Sequence, residues 1–338
     1  FATALRWRYP PGAFTAGECV VIYTMMIVAS TIPTKTLIAN MIPVLPGAAY
    51  YATPENDWAH LVLPLIPNWM VPQDPLAVKY FYEGAPANVP IPWEAWMVPF
   101  VAWGFFIAAF FAVMIGSMVI VRRQWIEHER LVFPLIQLPM EMLQEPEKGR
   151  ALAPIYRSRL TWIGVAIPWV VLSSHGLHEY FNYIPEIQTN TYVELIPEVS
   201  DFRILLSFSL IGFTYLVNQE IAFSLWFFHI LMKVQSGALS YIGYDVPGRH
   251  EAFTGGGGTI AVAHEAMGAT VALVLFVLWT GRRHLAAVCG KALGTRPEVE
   301  DRDEIMSYRA AVITLLLGAV GMCLWLNASG LPLWITPC

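Results

Sequence analysis

Long apolar stretches are the feature that most restricts the fold of this 338-residue chain. Five of them have the roughly 20 residues that a helix needs to cross the hydrocarbon core of a bilayer. They are 19–39, 97–121, 160–180, 259–281 and 310–330. A lipid-exposed backbone must satisfy its own hydrogen bonds, and these stretches are too long for barrel strands. The sequence therefore predicts an all-α integral membrane protein built as a multi-span helical bundle.

The composition supports this class and excludes others. The chain is 56% hydrophobic and 13% charged, whereas about 25% of the residues of soluble domains are charged. No basic cluster indicates nucleic acid, and no catalytic motif indicates an enzyme. The four cysteines share no short spacing, so neither a metal site nor a disulfide framework is expected, and no cofactor is. They are Cys19, Cys289, Cys323 and Cys338.

Lysine and arginine counts between the apolar stretches predict the topology. Connections 122–159 and 282–309 carry seven and six of these residues. The other three connections, 40–96, 176–203 and 235–258, carry one each. By the positive-inside rule, the first two are cytoplasmic and the other three lie outside.

Segment 204–234 is an apolar run of 31 residues interrupted by Asn218, Gln219 and Glu220. One straight helix of this length would be about 46 Å long, against a hydrocarbon core of ~30 Å. Since both flanking connections are predicted outside, we expect a re-entrant helical hairpin of two half-helices of about 14 residues with the polar triplet at its tip. The alternative is one tilted span, which would place Arg282 and Arg283 on the wrong face.

The domain prediction is a single transmembrane domain, 1–338, expected to be part of a longer chain because it begins at Phe1 and ends eight residues past an apolar span. Segment 40–96 is too long for a structureless connection, so we expect an ordered extracytoplasmic cap there. Segment 122–159 is predicted to be a cytoplasmic amphipathic connection.

The triplet is the first candidate site. Three consecutive side chains on a helix fan over about 200°, whereas an unwound tip would let Asn218, Gln219 and Glu220 converge. A glutamate at membrane depth should be paired, protonated or facing a watery cavity. Half-helix ends can hold substrates or ions. A structural polar contact between helices, or a solvated helix end, is the open alternative.

A second candidate is the start of the 259–281 span. Four glycines precede it and leave the backbone accessible, but they lack the pattern of a nucleotide-binding loop. His264 and Glu265 follow and diverge by about 100° on a helix. They could form a proton relay, or His264 could be a packing residue. The glycines are Gly255, Gly256, Gly257 and Gly258.

Three other features have two interpretations each. Lys35, deep in the first span, either snorkels outward or is a counter-ion to Glu220 or Glu265. Gln137 and Glu141 share one helix face, either on an interfacial helix or at the inner mouth of a pathway. The acidic strip 298–304 is interpreted as a solvated loop.

A resemblance adds to these predictions. The runs "IPWEAWMVPFVAWGFFI", "VRRQWIEHERLVFPLIQLPMEML", "FSLWFF" and "MSYRAAV" resemble a large bacterial polytopic membrane family that carries only a domain-of-unknown-function label. That resemblance implies a multi-pass protein of the bacterial cytoplasmic (inner) membrane. More distantly, "ERLVFPLIQLPMEML" is similar to a segment of the oligopeptide transporter superfamily. The chain departs from that segment at Ile136 and Leu138, where the superfamily has small residues.

The distant resemblance implies a secondary transporter or permease for a peptide-like or metal-chelate solute, with proton coupling. The expected partners are the lipid bilayer, a small-molecule substrate and protons, with a homo-oligomer or a larger membrane complex as the assembly. The alternative is a non-transporting accessory or structural subunit of a larger membrane complex. In the transporter hypothesis, the hairpin tip and the glycine-rich start of the 259–281 helix form one midplane site.

Overall fold

The structure is a computed structural model, and it describes residues 14–31, 38–130, 133–144, 153–196, 200–244 and 260–336. These ranges are mainly helical with one two-stranded sheet, which confirms the predicted helical fold class. The chain divides into two compact units. The first unit comprises 1–25 and 131–277, and the second comprises 26–130 and 278–338.

The regular elements follow one another in this order. The helices are α1 (Ala16–Thr31), α2 (Ile38–Tyr50), α3 (Trp58–Leu61), α4 (Pro75–Glu83), α5 (Trp93–Arg123), α6 (Pro134–Leu143), α7 (Arg159–Tyr180), α8 (Phe208–Leu216), α9 (Gln219–Tyr241), α10 (Ile260–Thr280), α11 (Arg282–Ala292) and α12 (Tyr308–Ala328). The strands are β1 (Asn190–Ile196) and β2 (Ser200–Leu205), between α7 and α8. A π-helical turn, Gln124–His128, extends α5.

Three helices are long and apolar enough to cross a membrane. They are Trp93–His128, Arg159–Tyr180 and Tyr308–Ala328. The pair His264–Thr280 and Arg282–Ala292, bent by 67°, would make a fourth span. These helices coincide with four of the five predicted spans to within a few residues. In the fifth, α1 ends at Thr31 and the following residues to 37 lie outside the described ranges.

A β-hairpin in the first unit was not predicted. Strand β1 pairs antiparallel with β2, with Asn190 opposite Leu205 and an irregularity between Glu194 and Ile196. The strands are rich in β-branched and aromatic residues, which favour extended backbone. The helical part of segment 204–234 therefore begins at Phe208 rather than at 204.

The core of the second unit is the antiparallel contact of α5 with α12. Gly318 faces Ala109 so closely that an added Cβ would lie 2.6 Å from the Ala109 carbonyl oxygen. On the same contact, a Cβ on Gly116 would lie 2.8 Å from the Ala311 carbonyl oxygen. Small residues at these positions let the two backbones approach, as they commonly do between membrane helices. The contact fixes α5 against α12 along most of their length.

Polar contacts hold one end of this helix pair together. The Arg122 Nε donates to Glu304 Oε2 at 2.6 Å, and the Glu304 side chain is only 3% exposed. Asp301 accepts from the Tyr308 backbone N–H, and His284 lies 2.7 Å from the Ile120 carbonyl oxygen. The interpretation of 298–304 as a solvated loop is therefore wrong at Glu304, because the Glu304 side chain is buried and paired with Arg122.

Segment 40–96 packs around the opposite end of the same pair through aromatic residues. The Trp103 indole donates to the Met70 carbonyl at 3.0 Å, and the Trp325 indole donates to the Ala102 carbonyl at 2.9 Å. The Trp69 ring meets Trp325 edge-on at 5.2 Å. Buried indole N–H groups need acceptors, and here carbonyl oxygens of the turns and of α5 supply them. Helices α2, α3 and α4 lie in this segment.

Candidate functional site

The segment with the polar triplet is broken, as its length predicted, but not at its midpoint. Helix α8 ends at Leu216 and α9 begins at Gln219, so the two parts have 9 and 23 residues instead of about 14 each. Val217 has an extended backbone at the break. The reversal of chain direction that a re-entrant hairpin requires stays a prediction.

The triplet is largely explained by the start of α9. The Asn218 side chain caps the helix by accepting from the Glu220 N–H at 3.1 Å. Glu220 lies in the first turn, where the helix dipole stabilises a negative charge. The prediction of an unwound tip that holds all three side chains is therefore wrong at Gln219 and Glu220, because both are helical. Among the described residues, no ion pair or side-chain hydrogen bond engages the Glu220 carboxylate.

An open groove lies beside the break. It has a volume of about 600 Å³ and includes Gln137 and Glu141 of α6. Leu216, the last residue of α8, also lines it. The remaining lining side chains are apolar: Phe133, Ile136, Leu138 and Met140. The structure thus brings Gln137 and Glu141 to the helix break, as two polar groups in a groove with otherwise apolar walls.

A second polar contact joins α9 to α10. The Gln235 amide donates to Glu265 Oε2 at 2.7 Å. His264 precedes Glu265 on the same helix, and adjacent positions diverge by about 100°. The Glu265 carboxylate therefore contacts α9 through Gln235. A proton relay between His264 and Glu265 would not require this contact.

The two polar positions are separate places in the molecule. Glu220 and Gln235 lie 15 residues apart on the continuous helix α9, which corresponds to about 22 Å along its axis. Since Glu265 is bound to Gln235, it cannot share one compact site with Glu220. Among the described residues, Glu220 and the Gln235–Glu265 contact therefore lie at two separate positions along α9. The glycines of the predicted midplane site lie outside the described ranges.

Some candidate residues cannot be placed. Lys35 and the four glycines Gly255 to Gly258 lie outside the described residues. In the described part of the chain, no group of three or more His, Cys, Asp or Glu side chains is arranged to hold a metal ion.

Two residues at these positions, Gln235 and Leu216, were not predicted from the sequence. Gln235 lies one residue beyond the end of the run 204–234, so it was attributed to a connection, although α9 continues to Tyr241. Leu216 was one apolar residue among many. A polar side chain at helical spacing past the end of an apolar run could have indicated Gln235, whereas nothing in the sequence singles out Leu216.

Comparison with known proteins identifies the family but not the activity. No curated protein and no solved structure matches the chain significantly. A family model described as "Family of unknown function (DUF6785)" matches residues 1–338. The predicted resemblance to a family with an unknown-function label is thereby confirmed, and that to oligopeptide transporters stays a prediction. The chain belongs to the DUF6785 family.

Proposed function

We propose that this chain is a multi-pass membrane protein that moves a small solute as a secondary transporter. The observation that carries the proposal is the groove at the break between α8 and α9, where Gln137 and Glu141 are the polar groups among apolar walls. Broken helices beside polar groups are how transporters build solute sites within the bilayer.

Membrane insertion is supported by the apolar surface of the long helices. Of the residues of α7, only Val171 is buried in the described structure. Trp169 is 69% exposed, and Leu172 is 61% exposed. Contiguous apolar surface of this kind requires lipid or another protein to cover it. The distribution of lysine and arginine supports an orientation with 122–159 and 282–309 on the cytoplasmic side. A bacterial cytoplasmic membrane is the location that the family resemblance implies.

The groove chemistry fits a solute that is partly apolar and carries hydrogen-bond donors. A carboxylate accepts from ammonium or amide groups, and the Gln137 amide both donates and accepts. A peptide-like solute or a metal chelate, the classes implied by the oligopeptide transporter resemblance, offers such groups. Glu141 is the carboxylate that would bind the solute or a proton. Glu265 of α10, which accepts from Gln235 of α9, is a second carboxylate that could do so.

The test is transport by the purified chain in liposomes with the pH dye pyranine inside. One set of vesicles receives radiolabelled dialanine and another receives ferric citrate, with an inward proton gradient. We expect accumulation of one probe together with internal acidification. Glu141→Gln should lower the initial rate at least tenfold. Glu179→Gln, at the end of α7 and not part of the groove, is the matched control and should keep the wild-type rate.

Two results would overturn the proposal. One is an unchanged rate and pH dependence in Glu141→Gln, and the other is the absence of uptake of both probes by folded wild-type protein. Glu220→Gln separates coupling from binding, because retention of both rate and pH dependence in this variant excludes Glu220 as the coupling group. Purification in mild detergent with stoichiometric partner chains, together with absent uptake, would instead favour the accessory-subunit function.

A further inference from the structure

A groove in the second unit lies in segment 40–96 and the start of α5. It is open and has a volume of about 970 Å³, within the range that small-molecule sites occupy. Two carboxylate residues line it, Asp74 and Glu94, together with the rings of Trp69 and Trp93. This groove is separate from the one that contains Glu141, which belongs to the first unit.

The charged residues that line the groove are both acidic. Among the described residues that line it, none is lysine, arginine or histidine. The whole segment 40–96 has one lysine against five acidic residues. That lysine, Lys79, lies 3.7 Å from Glu83 and so faces another carboxylate. An approaching cation therefore meets uncompensated negative charge, whereas an anion would be repelled.

The two carboxylates lie at the starts of two different helices. Asp74 caps α4 by accepting from the Leu76 N–H at 2.9 Å, which leaves its second oxygen for another donor. Glu94 lies in the first turn of α5, near the positive end of the helix dipole. In the described structure, no ion pair or side-chain hydrogen bond engages the Glu94 carboxylate.

Aromatic and aliphatic groups supply the rest of the surface. Trp93 lines the groove and is 59% exposed, so it is accessible to a ligand. Tryptophan is the aromatic residue that attracts an organic cation most strongly. Pro92 and Ile91 extend the apolar wall next to it. The groove therefore joins negative charge to an accessible indole, which is the combination that an organic ammonium ion requires.

We propose that this groove binds an organic ammonium ligand with an apolar body. Glu94 and Asp74 attract the ammonium group, and Trp93 contacts the cation or the apolar body. The inference does not depend on the proposed transport activity, since every residue it uses lies outside the groove of Gln137 and Glu141.

The experiment measures binding of phenethylammonium to the purified chain in nanodiscs of zwitterionic lipid, by ligand-observed NMR titration. Phenethyl alcohol and 3-phenylpropionate are the neutral and anionic comparison probes, and empty nanodiscs correct for partition into lipid. We expect the ammonium probe to bind more tightly than both comparison probes. Its affinity should fall as salt is raised, because salt screens exposed charges.

The variants test the residues. Glu94→Gln should weaken binding of the ammonium probe about fivefold, the effect of losing one solvated charge pair. Trp93→Leu should weaken it about threefold. Asp74→Asn gives a second charge test that keeps the helix cap, because asparagine also caps helices. Glu55→Gln, an exposed carboxylate of the same segment outside the groove, is the matched control and should bind like wild type.

Equal binding of the three probes by the wild-type protein would overturn the proposal. So would equal weakening by Glu55→Gln and Glu94→Gln, since that would indicate only the overall negative charge of the segment. If Glu94→Gln fails to fold, phenethylammonium binding is compared between Asp74→Asn and Glu55→Gln instead. Unchanged phenethylammonium binding in Glu141→Gln would show that a failure of this site and a failure of transport are separate results.

Discussion

Arg122 and Glu304 lie 182 positions apart in the chain, yet the Arg122 Nε donates to Glu304 Oε2 at 2.6 Å. The Arg122 side chain is 36% exposed, whereas that of Glu304 is 3% exposed. The contact joins the end of α5 to the turn that precedes α12. Tyr308 adds a weaker contact, with its hydroxyl 3.3 Å from Glu304 Oε1. Among the described residues, Arg122 is the one cationic side chain that forms an ion pair with this buried carboxylate.

The first prediction concerns this pair. Arg122→Met should lower the free energy of unfolding by about 2 to 3 kcal/mol, because it leaves a buried carboxylate without its charged donor. Thermal unfolding of the purified protein in detergent measures the effect. Lys79→Met removes an exposed ion pair with Glu83 and should cost less than about 1 kcal/mol. Equal effects of the two variants would contradict a special role for Glu304.

This contact also shows what the sequence could not predict. Apolar length alone located α5, α7, α10 and α12 to within a few residues, because helix length in lipid is fixed by bilayer thickness. The partner of Glu304 depends on how distant segments pack. The local charge count predicted a solvated loop at 298–304 instead. Spacing along the chain carries no information about a contact across 182 residues.

The candidate site was predictable in part for similar reasons. The break in 204–234 followed from a helix too long for the bilayer and from its polar interruption. Its position at Val217, the capping role of Asn218 and the groove beside Leu216 required the structure. The partnership of Glu265 with Gln235 was also hidden, because it joins two helices that the sequence treats separately.

The second prediction tests the close approach of α5 and α12. Gly318→Ala would place a Cβ 2.6 Å from the Ala109 carbonyl oxygen, so the helices must separate. We expect a loss of about 1 to 3 kcal/mol of stability, the usual effect of overpacking.

Gly104→Ala on α5 is the control, since a Cβ there meets no atom within 4 Å. Alanine should be neutral or stabilising at that position, because it favours the helix. Thermal midpoints of the two variants give the comparison, and a Gly318→Ala midpoint at or above the wild-type value would argue against this packing.

The third prediction separates capping from other functions of the triplet. Asn218→Ala should lower stability by about 1 kcal/mol, because the Glu220 N–H loses its acceptor. Asn218→Asp should preserve stability, since aspartate caps equally well. Gln219→Ala is the control within the triplet and should have little effect. Comparable losses in Gln219→Ala and Asn218→Ala, measured by thermal unfolding, would mean that the triplet makes tertiary contacts beyond the cap.

The last prediction concerns pH and Tyr82, which lies in segment 40–96, outside the helices that are long and apolar enough to cross a membrane. Its hydroxyl donates to the Pro43 carbonyl at 2.5 Å, and its ring stacks on Tyr50 at 4.2 Å. Burial, with a smaller contribution from the neighbouring Tyr51 and Tyr50, raises the pKa of the Tyr82 phenol. The folded protein therefore keeps this proton to a higher pH than the unfolded chain does.

The sign of the pH effect follows from linkage. Above a pH of about 10 the unfolded state binds fewer protons at this position, so the Tyr82 contribution to the free energy of unfolding falls as pH rises. Tyr82→Phe should cost about 1 kcal/mol near neutral pH, from the lost hydrogen bond. The difference in thermal midpoint between wild type and Tyr82→Phe should narrow when both are measured above a pH of about 10.

Tyr183→Phe, at a tyrosine that is 82% exposed, is the matched control and should show no such narrowing. A constant difference between wild type and Tyr82→Phe over this pH range would show that the Tyr82 proton is not linked to folding.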